Sequence, residues 1–146
     1  MLTGGCLCGA ARYEAGGTSF HAVICHGTMC RRAAGAPVMA WFSVAQPEFP
    51  FTAGVPAAYR SSAHATRRFC GRCGTQLTFE SDQHPEEIDM ASACLDDPEH
   101  VPPADHVHDG TQLSWVPIGD VLPRCPGACS EQTTAASVRP RQASRP

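Results

Sequence analysis

Two close cysteine pairs are the residues of this chain best equipped for chemistry: Cys6-Leu7-Cys8 near the N-terminus and Cys70-Gly71-Arg72-Cys73 in mid-chain. Neither pair can hold a metal ion alone. Together they offer four thiolates, the donor set of a structural zinc. Gly4, Gly5 and Gly9 flank the first pair, and Gly71 and Gly74 follow the cysteines of the second. Glycine lets a backbone turn tightly around one ion and aim its amides at the sulfurs. Closing the long stretch between the pairs costs little more than closing a short one. A CxxC by itself reads equally as a redox pair or as buried cysteines, whereas two pairs set among glycines favour zinc. Cys25 and Cys30 lie between the pairs and need a role of their own.

Composition narrows the setting. A chain of 146 residues suits one domain with a modest core. A formal net charge of -3 creates no field for nucleic acid or for an anionic membrane surface. The permanent positive charge is all arginine and lysine is absent, which excludes a Schiff-base lysine and a phosphate-loop lysine. The opening MLTGGCLCG has no basic stretch followed by an apolar run, so no signal peptide is expected. No apolar run approaches the roughly 20 residues of a membrane helix. The expectation is a cytoplasmic, reducing setting, where close cysteines are metal ligands or reactive thiols more often than disulfides. The odd total of nine cysteines also argues against a complete internal disulfide set.

The elements that must position these residues are short. Apolar stretches at 10–14, 20–25, 38–44, 57–61, 67–70, 76–80 and 87–94 predict strands, each bounded by Gly, Pro, Asp or Ser. Residues 28–34 predict one or two helical turns, opened by Thr28 and stopped by Gly35 and Pro37. Residues 95–105 predict a loop, and 107–116 a last strand pair. The fold class is therefore mainly β, built of small sheets with little core each, which a metal cross-link would stabilise. Residues 1–123 read as the domain. Residues 124–146 read as a tail, rich in Pro, Ser, Ala and Arg and too poor in apolar residues to fold.

Four segments, in order, resemble the glutathione-dependent formaldehyde-activating family, which includes the centromere-protein-V type zinc domain. They are GGCLCGAARYE, CHGTMCRRAAGAP, RRFCGRCGTQLTFES, and CLDDPEHVPPADHVH with a later SWVPIGDVLP. The resemblance runs over residues 4–123. It implies a β-tent of small antiparallel sheets joined by a structural zinc on Cys6, Cys8, Cys70 and Cys73. It also implies a second, catalytic zinc on a Cys-His-Cys-x-x-Cys-Arg-Arg motif. This chain reads Cys25-His26-Gly27-Thr28-Met29-Cys30-Arg31-Arg32, with glycine in place of the middle cysteine. The implied chemistry joins glutathione and formaldehyde as S-(hydroxymethyl)glutathione, a carbon–sulfur lyase activity, with a small thiol such as glutathione as partner.

Two thiolates bind zinc more weakly than three. Three outcomes are open at the second site. The zinc is absent and Cys25 and Cys30 are thiols; or His26, His108 or Cys94 supplies the third donor; or the ligand's own thiol completes a loose site. Correspondingly, the chain reads as a lyase, as a zinc-stabilised module binding a small thiol or a protein partner without turnover, or as a redox-responsive thiol protein.

Arg31 and Arg32 are candidates for the carboxylates of glutathione, since the guanidinium fork matches a carboxylate; packing on Trp41 or pairing with Asp96 is the plainer alternative. His106 reads as a packing histidine. Trp41, Phe42, Phe49, Phe51 and Trp115 read as core; with no basic stripe beside them, nucleic-acid binding is not expected. Cys125 and Cys129 are expected as exposed thiols of the tail.

Overall fold

The computed structural model describes residues 1–129; the remainder of the expected tail, 130–146, lies outside the described residues. The protein is mainly β. Strands β1 (Leu2–Gly5), β2 (Arg12–Ala15) and β5 (Phe51–Ala53) form a small antiparallel sheet in the order β1-β2-β5. Seven more strands form the second sheet: β3 (Phe20–Cys25), β4 (Met39–Ala45), β6 (Ala57–Ser62), β7 (Ala65–Phe69), β8 (Gln76–Ser81), β9 (Glu87–Ala91) and β10 (Asp105–Val107). Their order is β10-β3-β4-β9-β8-β7-β6. The strand pairings are antiparallel, as expected, with one parallel addition of β10 on β3 at the edge. The single α-helix among the described residues, α1, spans Thr28–Ala34.

The helix stands where the sequence places it, with Thr28 as its first residue. Gly27 is the N-cap, and no side chain caps the end. Gly35, at φ 62, terminates it in the left-handed conformation that glycine adopts without strain.

Alternation divides the large sheet into two working faces. On one face Phe42, Val44, Ile88 and Met90 pack with Tyr13 and Ala15 of the small sheet, and Leu77 joins them from a bulge opposite β7. Each large apolar side chain removed from water in this way contributes roughly 1.5–3 kcal/mol. On the other face Phe20, Ser43, Asp89, Phe79 and Arg67 stand directly opposite one another on five adjacent strands. Directly opposed residues share a face, and this row floors a cavity.

Three sequence expectations are corrected. Strands β1 and β5 carry no recognisable pattern, β1 because half of it is glycine; a Cβ on Gly4 would overlap the Tyr13 ring and the Cys94 carbonyl. The strand pair expected over 107–116 does not form, because His108 turns to φ 54 and a 3-10 turn follows at Asp109–Thr111. Trp115 is 69% exposed rather than core.

Candidate metal centre and the neighbouring cavity

The two cysteine pairs occupy facing turns. Cys6 and Cys8 lie in the turn from β1 to β2, closed by the Cys6 amide on Ala11 and the Gly9 amide on Cys6, both at 3.0 Å. Cys70 and Cys73 lie in the turn from β7 to β8, closed by the Cys70 amide on Thr75 at 2.9 Å and the Gly74 amide on Cys70 at 2.8 Å. Each turn ends in a glycine at positive φ, 73° at Gly9 and 77° at Gly74. The small sheet thus supplies one half of the cluster and the large sheet the other.

The four sulfurs lie within 4.8 Å of one another. Cys6 and Cys8 are 3.6 Å apart, and Cys8 and Cys70 3.8 Å. A tetrahedron with metal–sulfur bonds near 2.3 Å has S···S edges of about 3.8 Å, which these two edges match. The Ala11 amide donates to Cys6 Sγ at 3.2 Å, and the Leu7 amide to Thr75 Oγ1 at 3.1 Å. The Thr75 hydroxyl, 3.2 Å from Cys73 Sγ, is the main reason that the Cys73 thiol is held down to about 5. These contacts favour the thiolate at Cys6 and Cys73, the form that a cation needs, while the neighbouring sulfurs push Cys8 up to about 11 in the absence of a cation. The cluster could hold a metal ion.

Cys25 and Cys30 form a different arrangement. Cys25 ends β3 and Cys30 sits in α1. The two thiols perturb each other: the neighbouring Cys30 and then burial push the Cys25 thiol up, and Cys25, opposed by burial and aided by Arg67, brings Cys30 down to about 5. Arg67 reinforces the Cys30 thiolate, its Nη2 donating to Sγ at 3.5 Å. The Arg67 guanidinium lies 4.8 Å from the centroid of Phe79 and 5.9 Å from that of Trp41. The residue is 5% exposed, its Nη1 has no hydrogen-bond partner, and no carboxylate pairs with it among the described residues. A buried cation without an acid is costly, and the Cys30 sulfur is the acceptor that Arg67 reaches.

These groups open onto a cavity of about 1080 Å³ that includes Cys25, Gly27, Cys30, Trp41, Arg67 and His108 in its wall. Deeper in the same row, burial raises the Asp89 carboxyl to about 6, partly offset by the Ser43 hydroxyl at 2.6 Å.

Residues 1–110 match the family described as glutathione-dependent formaldehyde-activating enzyme. The chain belongs to this family. It is also similar to the crystal structure of a Rhodobacter sphaeroides protein, with 26% identity over 69% of this chain and 97% of that one, at a TM-score of 0.55.

Family membership makes Gly27 the position to test. A Cβ built there would lie 3.3 Å from Cys25 Sγ and 3.6 Å from His108 Cδ2. A side chain at 27 therefore points at the place where Cys25 and His108 meet. In its absence the donors do not assemble: among the described residues, Cys6, Cys8, Cys70 and Cys73 are the sole group of three or more His, Cys, Asp or Glu close enough to share an ion. The residues present do not fit a second resident metal.

The other candidates are dispersed. His26 is fully buried, and its Nε2 shares a 2.8 Å hydrogen bond with His106 Nδ1; His106 Nε2 meets both Asp120 oxygens at 3.0 Å. Burial first, then His106, lowers the His26 pKa. His26 is absent from the cavity wall. Cys94 donates to the Gln76 carbonyl at 3.4 Å, and burial, then the nearby Cys6 and Cys73, pushes its thiol up to about 11. It packs against both apolar clusters, the one that holds Cys6 and Cys70 and the one that holds Cys25. Arg31 and Arg32 line a separate cavity of about 410 Å³ with Leu113 and Trp115. The pairing partner of Asp96 is Arg12, not Arg31 or Arg32.

Sequence reasoning did not single out Arg67. Its signal was the period of β7, which puts Ala65, Arg67 and Phe69 on one face. The segment 124–129 also departs from a free tail. The Cys125 amide bonds His106 O at 2.9 Å, the Asp109 amide bonds Cys125 O at 3.1 Å, and Cys125 and Cys129 form a disulfide. They are not the exposed free thiols expected of them.

Proposed function

We propose that the protein binds zinc at Cys6, Cys8, Cys70 and Cys73 and acts in the cavity beside Cys30 as a carbon–sulfur lyase on S-(hydroxymethyl)glutathione. The observation that carries this reading is the Cys30 sulfur held by Arg67 in the wall of a large cavity, in a chain of this family. Four thiolates at tetrahedral spacing support zinc over magnesium or calcium, which take oxygen donors. That zinc would fix the two facing turns and so the sheets that carry the cavity. Seven unpaired cysteines among the described residues support a reducing, cytoplasmic setting.

In the reaction the substrate's hydroxyl loses its proton as the C–S bond breaks. Formaldehyde leaves, and the glutathione sulfur takes the electron pair. The Cys30 thiolate accepts the proton, and the Arg67 guanidinium stabilises the developing sulfur anion as it stabilises Cys30. Residues 1–123 with the bonded segment to 129 form the working unit. No step needs a second zinc.

The test is the rate at which glutathione and formaldehyde exchange with their adduct, followed by NMR against the spontaneous background. Acceleration that is lost in Cys30→Ser supports the lyase. The lack of a third donor at position 27 favours a second reading, a module that binds a glutathione-class thiol without turnover; binding of S-methylglutathione with no acceleration would select it.

A further inference from the structure

The cavity wall contains a disulfide that the reading above does not use. Cys125 and Cys129 close a small loop lying beyond residue 110, where the family match ends. Ala128 and Cys129 contribute to the wall of the large cavity, whereas Cys125 does not. The loop is also what holds His108: the His108 amide donates to Gly127 O at 2.8 Å, and the Asp109 amide to Cys125 O at 3.1 Å. His108 sits at φ 54, a conformation that costs energy for a residue with a side chain and persists where its surroundings fix it.

We infer that Cys129 is a thiol-exchange site in this cavity, at which a small thiol of the glutathione class forms a mixed disulfide. The inference rests on the function proposed above only in naming the class of thiol that enters. The attacking thiolate forms a bond to Cys129 Sγ. The Cys125–Cys129 bond breaks, and Cys125 leaves as a thiolate that takes a proton. The entering sulfur is oxidised and the Cys125 sulfur reduced, so electrons balance without an outside oxidant. A second thiol, attacking the mixed disulfide, would release the small-molecule disulfide and leave both cysteines reduced. Access selects the sulfur attacked, and Cys129 is the one on the cavity side. A bridge across so short a loop removes little chain entropy, so opening it frees the wall beside His108 without unfolding the sheets. Within a reducing compartment, a disulfide of this kind serves exchange rather than structure.

The experiment uses the full chain purified without reductant, exposed briefly to reduced glutathione, quenched with iodoacetamide and mapped by mass spectrometry. The expected product carries glutathione on Cys129 and the alkyl group on Cys125. In Cys125→Ser, which lacks the resolving thiol, oxidised glutathione gives a lasting adduct on Cys129; in Cys129→Ser that adduct is lost. Glutathione found on Cys125 or equally on both, or both cysteines alkylated before any thiol is added, overturns the inference. Calorimetry with S-methylglutathione, which cannot exchange, tests the functional reading separately. Binding without adduct at Cys129 overturns the inference and leaves that reading standing. Adduct at Cys129 without such binding supports the exchange site and counts against glutathione as the cavity's specific ligand.

Discussion

Gly27→Cys should convert a one-zinc protein into a two-zinc protein. The backbone at 27, φ -57 and ψ 138, accepts a side chain without strain. Its Cβ would sit 3.3 Å from Cys25 Sγ, a tight contact that a small shift of the thiol relieves. The new sulfur, one bond further out, can reach the roughly 3.8 Å spacing that a zinc tetrahedron needs. With Cys25 and Cys30 it completes three thiolates and leaves a fourth position open. At free zinc about 100-fold above the dissociation constant, a site present in the folded state alone adds about 2.7 kcal/mol. For a chain of this size that is a rise of roughly 5–10 °C in melting temperature. The assay is zinc per chain by elemental analysis, paired with melting curves at fixed free zinc for the native protein and the variant. Two zincs in the native protein would refute the reasoning. So would a variant that still holds one, with a melting temperature no more zinc-sensitive than the native one.

Cys70→Ser removes one corner of the four-cysteine cluster from a site that is 3% exposed; zinc is lost and the melting temperature falls, and a strong chelator produces the same fall in the native protein but no further one in the variant. Arg67→Met removes the guanidinium that favours the Cys30 thiolate. The midpoint of Cys30 alkylation against pH moves upward, which peptide-resolved alkylation rates measure; an unchanged midpoint would mean that Cys25 alone holds the thiolate. Asp89, with its carboxyl raised to about 6 by burial, favours the fold while protonated, and that contribution is lost as pH rises through 6. Asp89→Asn therefore stabilises the protein at pH 8, by up to about 3 kcal/mol on a shift of roughly two units, and not at pH 4. Equal effects at both ends of the pH range would count against a raised carboxyl.

What could be read from the sequence was local. Helix α1 and strand β3 stand at the residues expected, because alternation and the Gly35 stop are written within a few positions. The cysteine turns were legible for the same reason: each pair needs only its own glycines to curl, and four cysteines in two such turns are a donor set that could hold one metal ion. Arg67 was not legible as part of the site. Its environment is made by Trp41 and Phe79, which reach it only through the register of four strands. The loop at 125–129 was hidden by its composition, since its order comes from hydrogen bonds to residues 106–109 and not from any apolar face of its own. Trp115 misled because size suggests burial, yet none of the described residues closes over it.

The two faces of the large sheet explain how one cysteine can be missing without damage to the fold. Stability resides where Phe42, Val44, Ile88 and Met90 meet the small sheet, and where the four-cysteine cluster ties the two sheets together. Position 27 belongs to neither. It lies at the start of a seven-residue helix with no buried residue, against a cavity rather than a packed interior. Removing a side chain there costs no core contact, so the chemistry of the cavity can change while the scaffold stays as it is. Arg67, buried and with no carboxylate paired to it among the described residues, donates to the Cys30 sulfur across 3.5 Å. On the function proposed above, that contact keeps a thiol, a cation and a cavity together without a third cysteine, so glycine at 27 does not by itself imply loss of function.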